Sequence, residues 1–181
     1  VVIDFGGIDN AGLLTLAASP DAASLRELVI DEIEVSEEAF AAIVTSPHLE
    51  QLTTLSILSC SLMLGEPGVL YQGNALPHLT TLRLPVDDWT DHDIRSLCEA
   101  PCTKHVTVLQ LDDIGLVNLD VLLASPIMSQ LQELMVSTNY EEREEEGTAS
   151  SDEFAQKIAR HPGMHQLRSL YVEAEVGWRG I

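Results

Sequence analysis

The stretch TSPHLEQLTTLSI, residues 45–57, reads as the end of a helix, a proline stop, and then leucines at Leu52 and Leu55 followed by Ile57. Nearly the same phrase returns as LAASPDAASLRELVI at residues 16–30 and as LLASPIMSQLQELMV at residues 122–136. With Val and Ile admitted beside Leu, an L-x-x-L-x-L block occurs six times, its starts at Leu25, Leu52, Leu79, Val106, Leu131 and Leu167 separated by 27, 27, 27, 25 and 36 residues. Self-similarity at such a period predicts a solenoid, in which each unit is too small to bury its own apolar face and stacks on the next. Stepping back a further 27 residues places Val1 and Ile3 in the same columns, as a truncated seventh unit.

Two more columns keep the same count. Nine residues before each block stand Leu16, Ile43, Leu70, Leu97, Leu122 and Ile158, which supply the inward face of a helix. Five residues before stand Pro20, Pro47, Pro101, Pro126 and Pro162, with Asn74 as the exception. Proline ends those helices because it lacks the N–H donor and restricts the residue before it. Thr90 with Asp93, and Ser150 with Glu153, fit the [ST]-x-x-[DE] capping box that opens a helix. Each unit therefore reads as strand, loop, short helix and proline turn.

On these residues the chain resembles the leucine-rich repeat family, in its ribonuclease-inhibitor-like subclass. The likeness is to bacterial-type L-A-x-S-P-H-L-x-x-L-x-x-L-x-L repeats, carried at Ser46, Pro47, His48, Leu49, Leu52, Leu55 and Ile57. The resemblance implies an α/β solenoid, curved, with a parallel sheet on the concave face and short helices on the convex face. Residues 1–181 would form a single domain of six to seven repeats, and the start at Val1 points to a piece of a longer protein. The family's Asn or Cys three residues after the last block leucine is met by Cys60 and Asn139, while Ile33, Asp87, Ile114 and Glu175 stand there in other units, so that ladder is expected to be incomplete. Curvature has a simple origin: parallel strands stack about 4.8 Å apart, whereas neighbouring helices need about 8–10 Å.

Composition narrows the function. Nine Lys and Arg against 29 Asp and Glu give a formal charge of -20, a field that repels nucleic acid and anionic lipid and attracts basic proteins. No apolar run approaches the roughly 18 residues of a membrane span. Three cysteines, Cys60, Cys98 and Cys102, with no N-x-[ST] acceptor, favour a reducing, cytoplasmic setting.

Signatures of chemistry are sparse. Trp89, within VDDWTDHD, aligns with Ile8, Val35, Leu62 and Leu116 and is expected in the core. Its neighbours Asp87, Asp88, Asp91, His92 and Asp93 do not follow the calcium-loop order, and no metal is expected. Cys60 and Cys98 read as buried spacers, and Pro162 and Gly163 spoil a shared helical face for His161 and His165. No catalytic residue and no cofactor is expected. The 36-residue unit carries an acidic insertion near 140–150, with five glutamates between Glu141 and Glu146, read as a projecting surface segment or as an arm that steers a basic partner.

Strand alternation assigns two outward columns. The first holds Val29, Ser56, Arg83, Gln110, Met135 and Tyr171; the second holds Asp4, Asp31, Leu58, Pro85, Asp112, Ser137 and Glu173. From these, Asp31, Glu32, Arg83, Gln110, Asp112, Asp113, Met135 and Tyr171 are the candidate partner-binding residues of the concave face. The expected function is non-enzymatic binding of a protein partner, basic by charge complementarity. Alternatives are a regulatory scaffold of the GTPase-activating type, with Arg83 as its arginine, or of the ubiquitin-ligase type, and a purely structural solenoid segment.

Overall fold

Among the described residues, strand alternation is realised as seven parallel strands lying side by side in chain order, β1 Val2–Asp4, β2 Glu27–Asp31, β3 Thr54–Leu58, β4 Thr81–Pro85, β5 Val108–Asp112, β6 Glu133–Thr138 and β7 Ser169–Ala174. The structure is a computed structural model and describes residues 2–4, 8–31, 33–58, 76–86, 89–138 and 151–174. Among the described residues the helices are α1 Asn10–Ala18, α2 Glu37–Thr45, α3 Asp91–Glu99, α4 Leu116–Ala124 and α5 Ser151–Arg160. The fold is α/β with an all-parallel sheet.

The middle leucines of the blocks form one row across the sheet: Leu28 pairs with Leu55, Leu55 with Leu82, Leu82 with Leu109, Leu109 with Leu134 and Leu134 with Leu170. Beside it runs a second row, with Ile30 on Ile57, Leu84 on Leu111, Leu111 on Val136 and Val136 on Val172. From β2 to β6 these side chains are buried, and they share one core cluster with Phe40 and Ile43 of α2, Ile94 and Leu97 of α3, Leu119 and Leu122 of α4 and Ile158 of α5. The helices therefore pack on one face of the sheet. Leu16 of α1 is half-buried against the same core.

One register departs from the expected column. Ile3 pairs with Leu28 and Asp4 with Val29, a step of 25 residues rather than 27. Ile3 thus belongs to the row of middle leucines, and Asp4 to the column of Val29 rather than to that of Asp31.

The prolines act as expected, with one addition. Pro20, Pro101, Pro126 and Pro162 each open a short 3-10 turn after a helix has ended, and Pro47 lies in a turn. The residues before them, Ser19, Ser46, Ala100, Ser125 and His161, are all extended, the conformation imposed on a pre-proline residue. Thr90 and Asp93 form the full capping box. Ser36 and Asp9 cap α2 and α1 through Ala39 N–H and Gly12 N–H, at 3.2 and 2.9 Å. Ser150 lies outside the described residues.

At the entry to the strands, successive units are tied by carbonyls that each accept two backbone N–H groups from the next unit. The carbonyl of Arg26 takes Thr53 and Thr54, that of Thr53 takes Thr80 and Thr81, and that of Thr80 takes Thr107 and Val108. Thr107 and Gln132 continue the series toward β7. The hydroxyls of Thr53 and Thr80 reinforce it, donating to the carbonyls of Arg26 and Thr53 at 2.9 and 3.2 Å. The partial Asn/Cys ladder expected at the other end of the strands rests on Cys60 and Asn139, which lie outside the described residues.

Candidate functional site

Helices cover one sheet face, so the opposite face offers the strands' alternate residues to a partner. Its first column is in register as expected: Val29 beside Ser56, then Arg83, Gln110, Met135 and Tyr171. In the second column Asp31 pairs with Leu58, Pro85 with Asp112 and Ser137 with Glu173. From β2 to β7 this face carries the acids Glu27, Asp31, Asp112, Glu133 and Glu173 and one base, Arg83. The local field is negative, in keeping with the chain's charge of -20.

The candidate residues are not equivalent. Arg83 is half-buried and places Nη1 3.4 Å from Ser56 Oγ, while its Nε is enclosed without a hydrogen-bond partner. Ser56, though it faces away from the helices, is fully buried. Asp31 is half-buried, with Oδ1 enclosed and unpartnered. Desolvation of this kind around charged groups weakens their attraction for a partner unless the partner supplies the missing bonds. Glu32 lies outside the described residues, as do Asp87, Asp88 and the glutamates at 141–146.

Asp112 is held in place. Gln110 Nε2 donates to its two carboxylate oxygens at 3.1 and 3.2 Å, and Ser137 Oγ lies 3.5 Å from Oδ1. Ser137 Oγ also accepts the N–H of Asp113 at 3.1 Å. Asp113 has a φ of 62°, in the left-handed region that aspartate enters more readily than most residues. The turn after β5 is thereby fixed against β6, and two adjacent acids leave the strand in a set geometry. Met135 is half-buried and Tyr171 is 53% exposed.

The other residues singled out by type have structural surroundings. Trp89 is buried, and its carbonyl accepts from Asn118 Nδ2 at 2.6 Å. Cys98 and Cys102 are buried free thiols. Burial raises the pKa of Cys98, and it pushes that of Cys102 up to about 11. Both thiols are therefore poor nucleophiles at neutral pH. His161 accepts the N–H of Gly163 through Nδ1 at 3.2 Å, a local turn contact. Among the described residues no group of three or more His, Cys, Asp or Glu could hold a metal ion, and no helix is long and apolar enough to cross a membrane.

Cys102 leads to a pH prediction. A thiol whose pKa is raised by folding binds its proton more tightly in the native state than in the unfolded chain. Its contribution is fully present below the ordinary thiol range and is lost as pH climbs from there toward about 11. The loss should reach about 2 kcal/mol. Urea titrations across that interval, run beside Cys102→Ala, check it: the wild type should lose more stability than the variant.

Sequence reading missed several contributors. Ser137 sits in an outward column but was not among the candidates, and its role depends on a hydroxyl reaching both Asp112 and the Asp113 amide. Glu133, exposed at the start of β6, was passed over because it lies outside both chosen columns, although alternation places it on the same face. Gln130 bridges to the preceding unit by donating to the carbonyls of Thr103 and Val106 at 2.7 and 3.0 Å. The signal for the threonine ties was present: Thr53, Thr80 and Thr107 recur at intervals of 27.

Set beside models of known protein families, curated proteins and solved structures, the chain matches none of them.

Proposed function

We propose that the protein is a leucine-rich repeat solenoid of the ribonuclease-inhibitor-like kind. In this reading it binds a basic protein partner, without catalysis, through the sheet face opposite its helices. The observation that carries this is the register. Equivalent residues of successive units align strand by strand into a continuous face that bears five acids and one arginine between β2 and β7. Such a face suits a convex protein surface better than a small substrate. Arg83 lies against Ser56 rather than projecting, which favours an interaction surface over an arginine supplied to a nucleotide.

The test is a titration with an oligolysine peptide, a simple surrogate for a basic partner. Raising salt from about 0.01 to about 0.1 M shortens the Debye length from about 30 to about 10 Å, and the affinity is expected to fall at least about tenfold. Replacing Asp112 and Asp113 together by lysine should weaken binding about tenfold at low salt. The same reversal at Asp91 and Glu99, exposed on α3, should change it far less. Equal losses from the two pairs would show attraction to bulk charge and refute a site on the sheet face.

A further inference from the structure

Within that face the ends differ. Around β3 and β4, Ser56 and Pro85 are buried, and Arg83 presents a positive charge that repels an incoming cation. The β6–β7 end has the opposite character. Met135 lies directly beside Tyr171, the latter more than half exposed. Glu133 precedes Met135 by two residues and Glu173 follows Tyr171 by two, so each stands about 7 Å along its strand from the apolar pair. Both are exposed. Asp112, on the strand beside Met135 and level with Ser137 and Glu173, is anchored by Gln110 and Ser137 and adds a second acid at the Glu173 end.

We infer that Tyr171 and Met135 form a platform for a lysine or arginine side chain from a basic segment of the partner, with Glu133, Glu173 and Asp112 as its carboxylate rim. This rests on the proposed reading of the sheet face and locates its specificity. A tyrosine ring presents a negative π-face that attracts a cation. The methionine thioether gives apolar contact to the long stem of such a side chain. Neighbouring carboxylates add attraction that an isolated aromatic would lack, and the clamp on Asp112 means that little ordering is needed on binding. An exposed tyrosine amid apolar and acidic neighbours thus complements a basic partner, whereas an acidic or wholly apolar one would meet uncompensated carboxylates.

The probe is a fluorescein-labelled oligolysine peptide at low salt, followed by anisotropy, with amide NMR shifts to locate it. Tyr171→Ala should weaken binding about threefold to thirtyfold. Tyr171→Phe, which keeps the ring, should stay within about twofold. A Glu133→Gln/Glu173→Gln double variant should also weaken it, and the largest shifts should fall on β6 and β7. If Tyr171→Ala binds like wild type, or Tyr171→Phe loses as much as Tyr171→Ala, the platform is wrong. Continued sensitivity to reversal at Asp112 and Asp113 in that case would leave the broader reading standing. No binding of the peptide to the wild-type protein would overturn both.

Discussion

Leu109→Asp is expected to leave the protein unfolded, while Gln110→Ala, one residue along the same strand, is expected to fold with a loss of no more than about 1 kcal/mol. Leu109 is fully buried and pairs with Leu82 on one side and Leu134 on the other. Losing its side chain alone costs about 2–5 kcal/mol, the range expected for Leu109→Ala. A carboxylate in its place adds several more, because no cation lies in the leucine row to pair with it. Domain stabilities are about 5–15 kcal/mol, so the sum consumes most or all of that margin. Gln110 points to the opposite face, and its removal costs only the two contacts to Asp112. Far-UV circular dichroism and urea titration of the three variants decide the matter. A native-like transition for Leu109→Asp would mean that the row is not the core.

That contrast also explains how much of the fold was legible. Alternation within a strand places every second residue on the core face, and the recurrence near 27 aligns one unit with the next. The same logic fails at β1. A step of 25 and a step of 27 differ by two residues and so share the same alternation, and apolar pattern alone does not choose between them. Hydrogen-bond register chooses, and it is not written in hydrophobicity.

The candidate face was legible as a set of columns but not as an environment. Ser56 was placed correctly as facing away from the helices, yet it is fully buried, with the Arg83 guanidinium reaching its hydroxyl. A long side chain covering its neighbour is a matter of rotamers, beyond what spacing reports. For the same reason Asp112 and Gln110, read as two separate binding residues, turn out to be bonded to each other. Glu133, which lies outside both columns of candidates, gains interest only when β6 and β7 are seen side by side, where it stands two residues from Met135 on the strand that pairs with Tyr171.

Ser46→Ala is expected to cost about 2–3 kcal/mol, large for the removal of one hydroxyl. Ser46 is 3% exposed and sits before Pro47 in the phrase that defines the repeat. Its hydroxyl donates to the carbonyl of Ala17, in the preceding helix, at 2.5 Å, and accepts the N–H of His48 at 3.1 Å. Alanine leaves both backbone groups without that partner in a region with little access to water. The equivalent positions are less demanding. Ser19 is half-buried and accepts from Asp21 N–H at 3.3 Å, and Ser125 is half-buried and donates to the carbonyl of Leu122 within its own turn. At Ala100 the hydroxyl is already missing, and Thr103 supplies one instead, donating to the carbonyls of Leu97 and Ala100 at 3.1 and 2.8 Å. The recurrent serine before proline is therefore kept for different bonds in different units: Ser46 ties two of them through a backbone carbonyl, whereas Ser125 reaches the preceding helix only through the Cys98 thiol. Urea titration should show a midpoint for Ser46→Ala well below those of Ser19→Ala and Ser125→Ala, with unchanged slope. Equal, small losses at all three positions would show that the tie to Ala17 contributes nothing beyond an ordinary turn.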